Sequence, residues 1–242
     1  MYIYGKQPVL ELLRSDHAVI RLMVAKTLEP RTAHTLKNRA EAKKILFQEY
    51  QKNDLQRFCG SVVHQGIVAE IKAYAYVKEE ILIKKISVES NPLVLILDQV
   101  QDVHNVGAII RSCEIAGITA LILPEKGSVR INETVAKTSA GAIFHCAIHQ
   151  ASDLHALLVK IAEMDLTIVA MVPHQELTIY EANLKKPLAV LVGSEGRGVR
   201  KNLLPYCSQK LSIQQYGRLD SLNVSVATAL VLFEARRQRL SI

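Results

Sequence analysis

Short runs of consecutive apolar residues alternate with segments of helical periodicity from residue 91 onward. Runs of this kind are typical of strands covered on both faces, and the alternation predicts a mostly parallel sheet with helices on either side. The predicted strands are Leu93–Leu97, Ala120–Leu123, Phe144–Ala147, Thr167–Met171, Leu188–Val192 and Leu211–Ile213. The predicted helices are Val106–Ala116, Asn132–Ala140, Asp153–Glu163 and Leu222–Arg239.

The pattern of residues 1–75 predicts a smaller α/β unit. A helix begins near Pro8, and residues 67–73 alternate in the manner of a half-buried strand. Between these two elements we expect a strand at Val19–Ala25 and helices at Arg31–Lys44 and Asn53–Phe58. Charged residues crowd 76–90, which is typical of a linker or a short connecting helix. The predicted domains are therefore 1–75 and 91–242, joined by a linker at 76–90.

In open parallel sheets, ligands bind beyond the carboxyl ends of the strands, so the functional site is expected in the loops that follow Leu97, Val192 and Ile213. In the first loop, Asn105 stands where a helix N-cap belongs. It either caps the helix or serves as a functional amide. Arg111 is bordered by apolar residues, so it either extends to solvent or meets an anion at the strand end.

The second loop places three glycines around Glu195, at Gly193, Gly196 and Gly198. Their Gly-x-x-Gly-x-Gly spacing is neither the dinucleotide fingerprint nor a Walker loop, which argues against a conventional dehydrogenase or NTPase. In the third loop, Ser221 and Asn223 are good helix-start residues. Together the three loops predict one polar rim at one edge of the sheet.

The composition narrows the classes of protein. The 242 residues are 49% hydrophobic and 22% charged, as in globular proteins. No apolar run approaches the roughly 18 residues that a membrane span needs, so we expect a soluble, cytoplasmic protein. The four cysteines lack the spacing of a zinc site, so we expect reduced thiols and no metal: Cys59, Cys113, Cys146 and Cys207.

The net charge of +7 favours polyanionic partners. Part of the excess lies on the predicted helix Arg31–Lys44, opposite its apolar side. Four of its cations are candidates for binding the phosphates of a nucleic acid: Lys37, Arg39, Lys43 and Lys44. The alternative is a solvated helix surface without a partner.

Taken together, the three loops resemble motifs of the SpoU family of RNA ribose 2′-O-methyltransferases, which use S-adenosylmethionine. The matching stretches are Asn105-x-Gly107-x-x-x-Arg111, Gly193-x-Glu195-Gly196-x-Gly198 and Ser221-Leu222-Asn223-Val224-Ser225-Val226-Ala227. The first part of the chain also resembles the ribosomal-protein-like RNA-binding domain of several members, at Tyr4-Gly5 and His64-Gln65-Gly66.

The resemblance implies an α/β fold: a trefoil-knotted parallel-sheet methyltransferase domain preceded by a small ribosomal-protein-like α/β domain. It implies a homodimer, with the knot at the interface and an active site that draws on both chains. Main-chain contacts to the adenosine part of S-adenosylmethionine are implied for Gly193, Ile213 and Leu222. The ribose and the methyl group are implied to meet beside Arg111, Asn105, Glu195, Ser221 and Asn223.

The implied reaction is methyl transfer to the ribose 2′-OH of a guanosine in large-subunit ribosomal RNA. A tRNA-directed enzyme and a catalytically silent RNA-binding assembly factor are the alternatives. The family assigns the general base to the arginine matched by Arg111, but an arginine pKa above about 12 favours a role in stabilising the developing alkoxide. The chain departs from the family at Asp102-Val103, where the family commonly has Asp-Pro, and at Ile213-Gln214-Gln215, where it commonly has Ile-Pro-Met.

Overall fold

The computed structural model describes residues 1–240, which form two compact units. The first unit comprises Met1–Ala75 and Ile131–His145, and the second comprises Tyr76–Arg130 and the chain from Cys146 onward. The strands are β1 Tyr2–Tyr4, β2 Arg21–Ala25, β3 Leu46–Tyr50, β4 Ile67–Glu70, β5 Leu93–Asp98, β6 Ala120–Pro124, β7 Ile148–Ala151, β8 Thr167–Met171, β9 Leu188–Gly193 and β10 Gln209–Leu211. The α-helices are α1 Lys6–Arg14, α2 Pro30–Ala42, α3 Gln56–Cys59, α4 Glu79–Val88, α5 Val103–Ile115, α6 Glu133–Thr138, α7 Leu154–Ala162 and α8 Val224–Leu240.

The first unit is built on a four-stranded mixed sheet in the order β1-β4-β2-β3. β2 runs parallel to β3 and antiparallel to β4, which in turn is antiparallel to β1. Its small core includes Met23 and Val68, both fully buried. Residues 131–145 belong to this unit: the Tyr74 hydroxyl donates to the Ile143 carbonyl at 2.9 Å, and the Lys137 ammonium lies 5.8 Å from the ring centroid of Tyr4.

The second unit contains the six-stranded parallel sheet, in the order β10-β8-β9-β5-β6-β7. Every residue of the central strands β5 and β9 is buried, as expected for strands covered on both faces. Helices α4 and α7 share a core with one face of the sheet through residues such as Leu82, Leu158 and Ile122. Helix α8 packs against α5 and β9.

The predicted strand Phe144–Ala147 is wrong. The apolar run Ala142–Phe144 forms a buried 3-10 turn after Gly141, whose φ is 89°, and the strand β7 follows at Ile148–Ala151. β7 is an edge strand that contains His149 and Gln150, so it lacks the continuous apolar run on which the prediction relied.

Residues 76–90 contain a short connecting helix, one of the two alternatives for this segment, and this helix, α4, buries Leu82 and Ile86 in the core of the second unit. Residues 131–145, predicted within the second domain, belong to the first unit instead. Periodicity finds elements but not the neighbours on which they pack, so the prediction placed these segments by their order in the chain.

None of the helices in residues 1–240 is both long and apolar enough to cross a lipid bilayer.

Candidate active site at the carboxyl ends of β5 and β9

The strands β5 and β9 lie side by side at the centre of the sheet, and Asp98 pairs with Gly193 at their carboxyl ends. From β5 the chain continues to β6 and β7 on one side, whereas β8 and β10 lie beyond β9 on the other. The order of the strands therefore reverses between β5 and β9. In parallel α/β sheets, ligands bind in the crevice at such a switch point.

Gly193 lets the chain fold back on itself as it leaves β9. A Cβ atom at this position would lie 2.0 to 2.2 Å from backbone atoms of Gly198 and Val199. The backbone N–H of Gly198 donates to the Ser194 carbonyl at 2.9 Å and closes the loop. No other residue fits at Gly193 without moving main chain, which cannot rotate away as a side chain can.

Three side chains from three distant segments form one hydrogen-bonded network beside this loop. The Asn223 amide donates to Glu195 Oε1 at 2.7 Å and to Asn105 Oδ1 at 2.9 Å. The Asn105 amide donates to the same Glu195 oxygen at 3.3 Å, and the backbone N–H of Val224 adds a fourth bond at 3.2 Å. The polar network of Asn105, Glu195 and Asn223 therefore ties the loops after β5, β9 and β10 together.

The network also fixes how two helices begin. Asp102, not Asn105, caps α5 by accepting the His104 N–H at 2.9 Å, so the capping interpretation of Asn105 is wrong. The helix starts three residues earlier than predicted, which leaves Asn105 inside the first turn and only 9% exposed. At α8, Asn223 Oδ1 accepts the Ser225 N–H at 2.9 Å, as the pattern of helix-start residues predicts.

A cavity of about 370 Å³ opens beside the network. Its wall consists of Gln99–Asp102 and Asn105, of Ser194, Glu195 and Arg197, and of Val224. The Oε1 atom of Glu195 accepts two side-chain bonds and one main-chain bond within the network, whereas its Oε2 atom accepts none from the residues of the described chain. One carboxylate oxygen is thus held by the protein and the other is available to a ligand.

Comparisons with known proteins match both parts of the chain. The sequence model described as "RNA 2'-O ribose methyltransferase substrate binding" matches residues 2–77. The model described as "SpoU rRNA Methylase family" matches residues 92–233, which include the whole network and its cavity. The chain belongs to the SpoU rRNA Methylase family.

Curated relatives of this SpoU methylase align over almost its full length. It is 34% identical over 240 residues to the 23S rRNA (guanosine-2'-O-)-methyltransferase RlmB of Photorhabdus laumondii, covering 99% of this chain and 98% of that protein. It is 33% identical to RlmB of Escherichia coli K12, with 98% of each chain covered. The solved SpoU methyltransferase AviRb of Streptomyces viridochromogenes, in complex with the cofactor AdoMet, shares the fold with a TM-score of 0.83 and 20% identity, over 100% of this chain and 91% of AviRb.

Two predicted site residues lie outside the network. Arg111 is exposed on α5 and forms no hydrogen bond or ion pair within residues 1–240. Six residues turn an α-helix by about 600°, so Arg111 points about 120° away from Asn105. Ser221 is also exposed and forms none of the network bonds. The structure brings Asn105, Glu195 and Asn223 together and leaves these two facing outward.

The predicted cofactor contacts fall on the loops that surround the switch point. Gly193 ends β9, Ile213 follows β10, and Leu222 is 41% exposed just before α8. The space above Gly196 and Gly198 is open, because no atom lies within 4 Å of where a Cβ would stand. These loops therefore offer accessible main chain at the two glycines and one exposed apolar side chain at Leu222.

The sequence analysis did not single out Asp98 and missed its ion pair with Arg200. Asp98 is fully buried, with Arg200 Nε 2.8 Å from its Oδ1. The sequence feature that could have revealed the pair is a carboxylate at the end of an apolar strand. A charge buried there requires a partner. Its partner lies 102 residues away, and spacing alone does not reveal such a pair.

The predicted basic face of the first unit is only partly free. Lys37 and Lys44 are exposed, and Arg39 is half-buried. Lys43 follows the last residue of α2 and donates to the Ser15 carbonyl, so its ammonium is already held. These cations lie along α2 and the turn after it.

The cysteines offer no alternative nucleophile. All four are free thiols, and burial raises the pKa of Cys146 to about 12 and the pKa of Cys207 to about 11. Cys113 is fully buried, and this burial raises its thiol pKa well above the ordinary value. Such thiols stay protonated at neutral pH. Within residues 1–240, no group of three His, Cys, Asp or Glu side chains is arranged to hold a metal ion.

Proposed function

We propose that the protein transfers a methyl group from S-adenosylmethionine to the ribose 2′-OH of a guanosine in large-subunit ribosomal RNA. The observation that carries this proposal is the polar network at the switch point, in a chain 34% identical over 99% of its length to a 23S rRNA guanosine methyltransferase. The network supports the chemistry, and the full-length similarity supports the substrate. Ribosomal RNA as substrate implies the cytoplasm as the place of action.

S-adenosylmethionine supplies a methyl group on a positively charged sulfur when it is bound. The loops after β9 and β10 would hold it through main-chain contacts at Gly193, Ile213 and Leu222. The predicted trefoil knot is formed by these loops. Positioning of the two reacting groups can supply roughly 7–11 kcal/mol of the barrier, so the rigidity of this crevice is its main contribution.

Glu195 has a positioning and binding role in this proposal. Its Oε1 is held by Asn105, Asn223 and the Val224 N–H. The remaining oxygen, Oε2, accepts a hydrogen bond from the substrate ribose or from the ammonium of the cofactor. The side-chain amides of Asn105 and Asn223 thereby act by holding the carboxylate of Glu195 in place.

Arg111 contributes a cation for the RNA. It orients the phosphate beside the target nucleotide and stabilises the alkoxide that forms as the 2′-OH loses its proton. Because Arg111 points away from the network of its own chain, it serves the crevice of a second copy. Ser221, which is also exposed, lies in this proposal beside the ribose and the methyl group in the same crevice.

The second copy binds to an apolar stripe on α8. Val226, Leu230 and Phe233 recur at helical spacing and are 47%, 38% and 46% exposed. Contiguous exposed apolar side chains on a helix mark a binding surface. Most soluble oligomers are symmetric homodimers, in which such a patch packs against the same patch of a second copy. Analytical ultracentrifugation should show a dimer, and Phe233→Glu should shift it to monomer; a monomeric parent protein would contradict this assembly.

The first unit recognises RNA by shape and phosphate through Lys37, Arg39, Lys43 and Lys44. Replacing all four by Glu should weaken RNA binding and flatten its salt dependence while the affinity for S-adenosylmethionine stays the same. An unchanged salt slope would show that this helix surface is merely solvated.

Methylation mapping tests the function directly. The purified protein is incubated with S-adenosylmethionine and unmodified 23S ribosomal RNA, and the product is hydrolysed with alkali. A 2′-O-methyl group blocks attack on the neighbouring phosphate, so one guanosine should become resistant to cleavage. Glu195→Ala serves as the inactive control.

Two outcomes would replace the proposal by its alternatives. Modification of tRNA but not of ribosomal RNA would favour a tRNA-directed enzyme. No modification, together with no binding of S-adenosylmethionine in calorimetry, would favour an RNA-binding assembly factor.

A further inference from the structure

The buried carboxylate of Asp98 holds one residue of the opposite loop at two points. Asp98 ends β5 and is 0% exposed. Its Oδ2 accepts the backbone N–H of Arg200 at 2.8 Å, and its Oδ1 accepts Arg200 Nε at 2.8 Å. A carboxylate removed from water requires partners of this kind, and here both come from Arg200. The pair therefore fixes the main chain as well as the side chain of Arg200.

Arg200 closes the loop that carries Glu195. The loop leaves β9 at Gly193, which pairs with Asp98, and its own Ser194–Gly198 backbone bond narrows it to a hairpin. It is thus anchored at its start by the strand and at its end by the bond from Arg200 to Asp98. Glu195 stands two residues after the first anchor and five before the second.

Asp98 also begins the other wall of the cavity. The residues that follow it, Gln99–Asp102, line the cavity across from Ser194 and Glu195. One carboxylate therefore lies between the two loops and connects both to the same strand end. The Asp98–Arg200 pair therefore ties the loop of Glu195 to the strand that leads towards Asn105.

We infer that Asp98 and Arg200 are positioning residues for methyl transfer, which act by setting the place of Glu195 in the network. This inference rests on the proposed function. Neither residue belongs to the network, and the cavity wall includes neither. A buried ion pair is weak evidence for stability, because apolar replacements are often as stable, but its geometry is specific.

A double-mutant cycle tests the inference. Arg200→Gln keeps the backbone N–H and removes the charge that Asp98 holds; it should lower kcat/KM by about 10-fold to 100-fold, as misplacement by about 1 Å does in other enzymes. If Arg200 acts through Glu195, adding Arg200→Gln to Glu195→Gln should cost little beyond the loss from Glu195→Gln alone. Lys201→Gln removes the same charge one residue away, at an exposed position, and should leave kcat/KM unchanged.

The conservative variant Arg200→Lys should recover a large part of kcat/KM, because it restores a cation to the buried carboxylate. If Arg200→Gln does not fold, as judged by circular dichroism, the cycle is run with Arg200→Met, which removes the same charge and keeps an unbranched side chain. The inference would be overturned if the fold-losses in kcat/KM of the two single variants multiplied in the double variant. Such a result would show that Arg200 acts independently of Glu195. An inactive parent protein would instead count against the proposed function.

Discussion

The polar network at the crevice and the basic face of the first unit use similar numbers of side chains under very different constraints. Each member of the network is hydrogen-bonded to the others, with distances from 2.7 to 3.3 Å. On the basic face, Lys37 and Lys44 are exposed, and only Lys43 is held, by the Ser15 carbonyl.

This difference follows from what each region is proposed to bind. Methyl transfer depends on the direction of approach, so its side chains must be fixed before the substrate arrives. Phosphates attract cations over about 10 Å at ordinary ionic strength, so long mobile side chains are sufficient. The predictions below test whether the crevice depends on geometry and the basic face on charge alone.

The largest effect is expected from Gly193→Ala. The added Cβ would overlap main chain at Gly198 and Val199, so the variant should lose about 1–3 kcal/mol of unfolding free energy and more than about 100-fold in methyl transfer. Gly217→Ala is the matched control, because a Cβ there meets nothing within 4 Å. Urea unfolding of both variants measures the difference, and equal midpoints would contradict a geometric role for Gly193.

Asn223→Asp separates geometry from charge within the network. The side chain keeps its size and its capping oxygen, but it brings a second carboxylate to the 2.7 Å contact with Glu195. We expect kcat/KM to fall about 100-fold at pH 7, the scale of a lost donor in other active sites. Activity should partly recover as the pH falls, because two adjacent carboxylates share a proton and the shared proton restores a donor.

A pH profile of kcat/KM checks the result for Asn223→Asp, with Lys201→Gln, at an exposed position outside the network, as the control. A profile that matches the parent at every pH would mean that the amide of Asn223 is dispensable.

A smaller loss is expected from Arg111→Lys, which keeps the charge of an exposed side chain. We expect kcat to fall about 10-fold, less than the loss of a whole hydrogen-bond donor, since one ammonium replaces the fork of the guanidinium. The test is the pH–rate profile. If the lysine variant became faster than the parent at high pH, Arg111 would be a general base and the proposed alkoxide role would be wrong.

The smallest effect is expected from single substitutions on the basic face. Lys37→Gln should reduce the slope of log Kd against log salt by about 0.7–0.9, the value for one phosphate contact, with little change in kcat. Lys43→Gln should change the slope less, because its ammonium is occupied by Ser15. Filter-binding titrations at several salt concentrations compare the two, and equal slope changes would show that Lys43 leaves Ser15 to bind RNA.

Much of the second unit could be predicted from the sequence. The strands Leu93–Asp98 and Leu188–Gly193 appear as unbroken apolar runs because both of their faces are buried. The edge strand at Ile148–Ala151 could not be found in this way, since His149 and Gln150 interrupt it. Residues 131–145 were assigned to the wrong unit because periodicity does not report which core a helix joins.

The candidate site was predictable in part. Gly193, Glu195 and Asn223 stand at loop positions where strand ends meet helix starts, so the general location followed from the pattern. The role of Asn105 could not be predicted from the pattern. Asp and Asn are both preferred at helix N-caps, and the structure shows that Asp102, not Asn105, caps α5.

The sequence by itself determined the parallel sheet, the loops at its carboxyl edge and the polar residue types that those loops carry, because each of these depends on local periodicity and turn chemistry. Only the tertiary structure decided that Asn223 donates to both Asn105 and Glu195, that Asp98 is paired with Arg200, and that Arg111 points away from them. These contacts join segments about 30 to 120 residues apart, and their distances are set by how strands and helices pack rather than by any nearby residue.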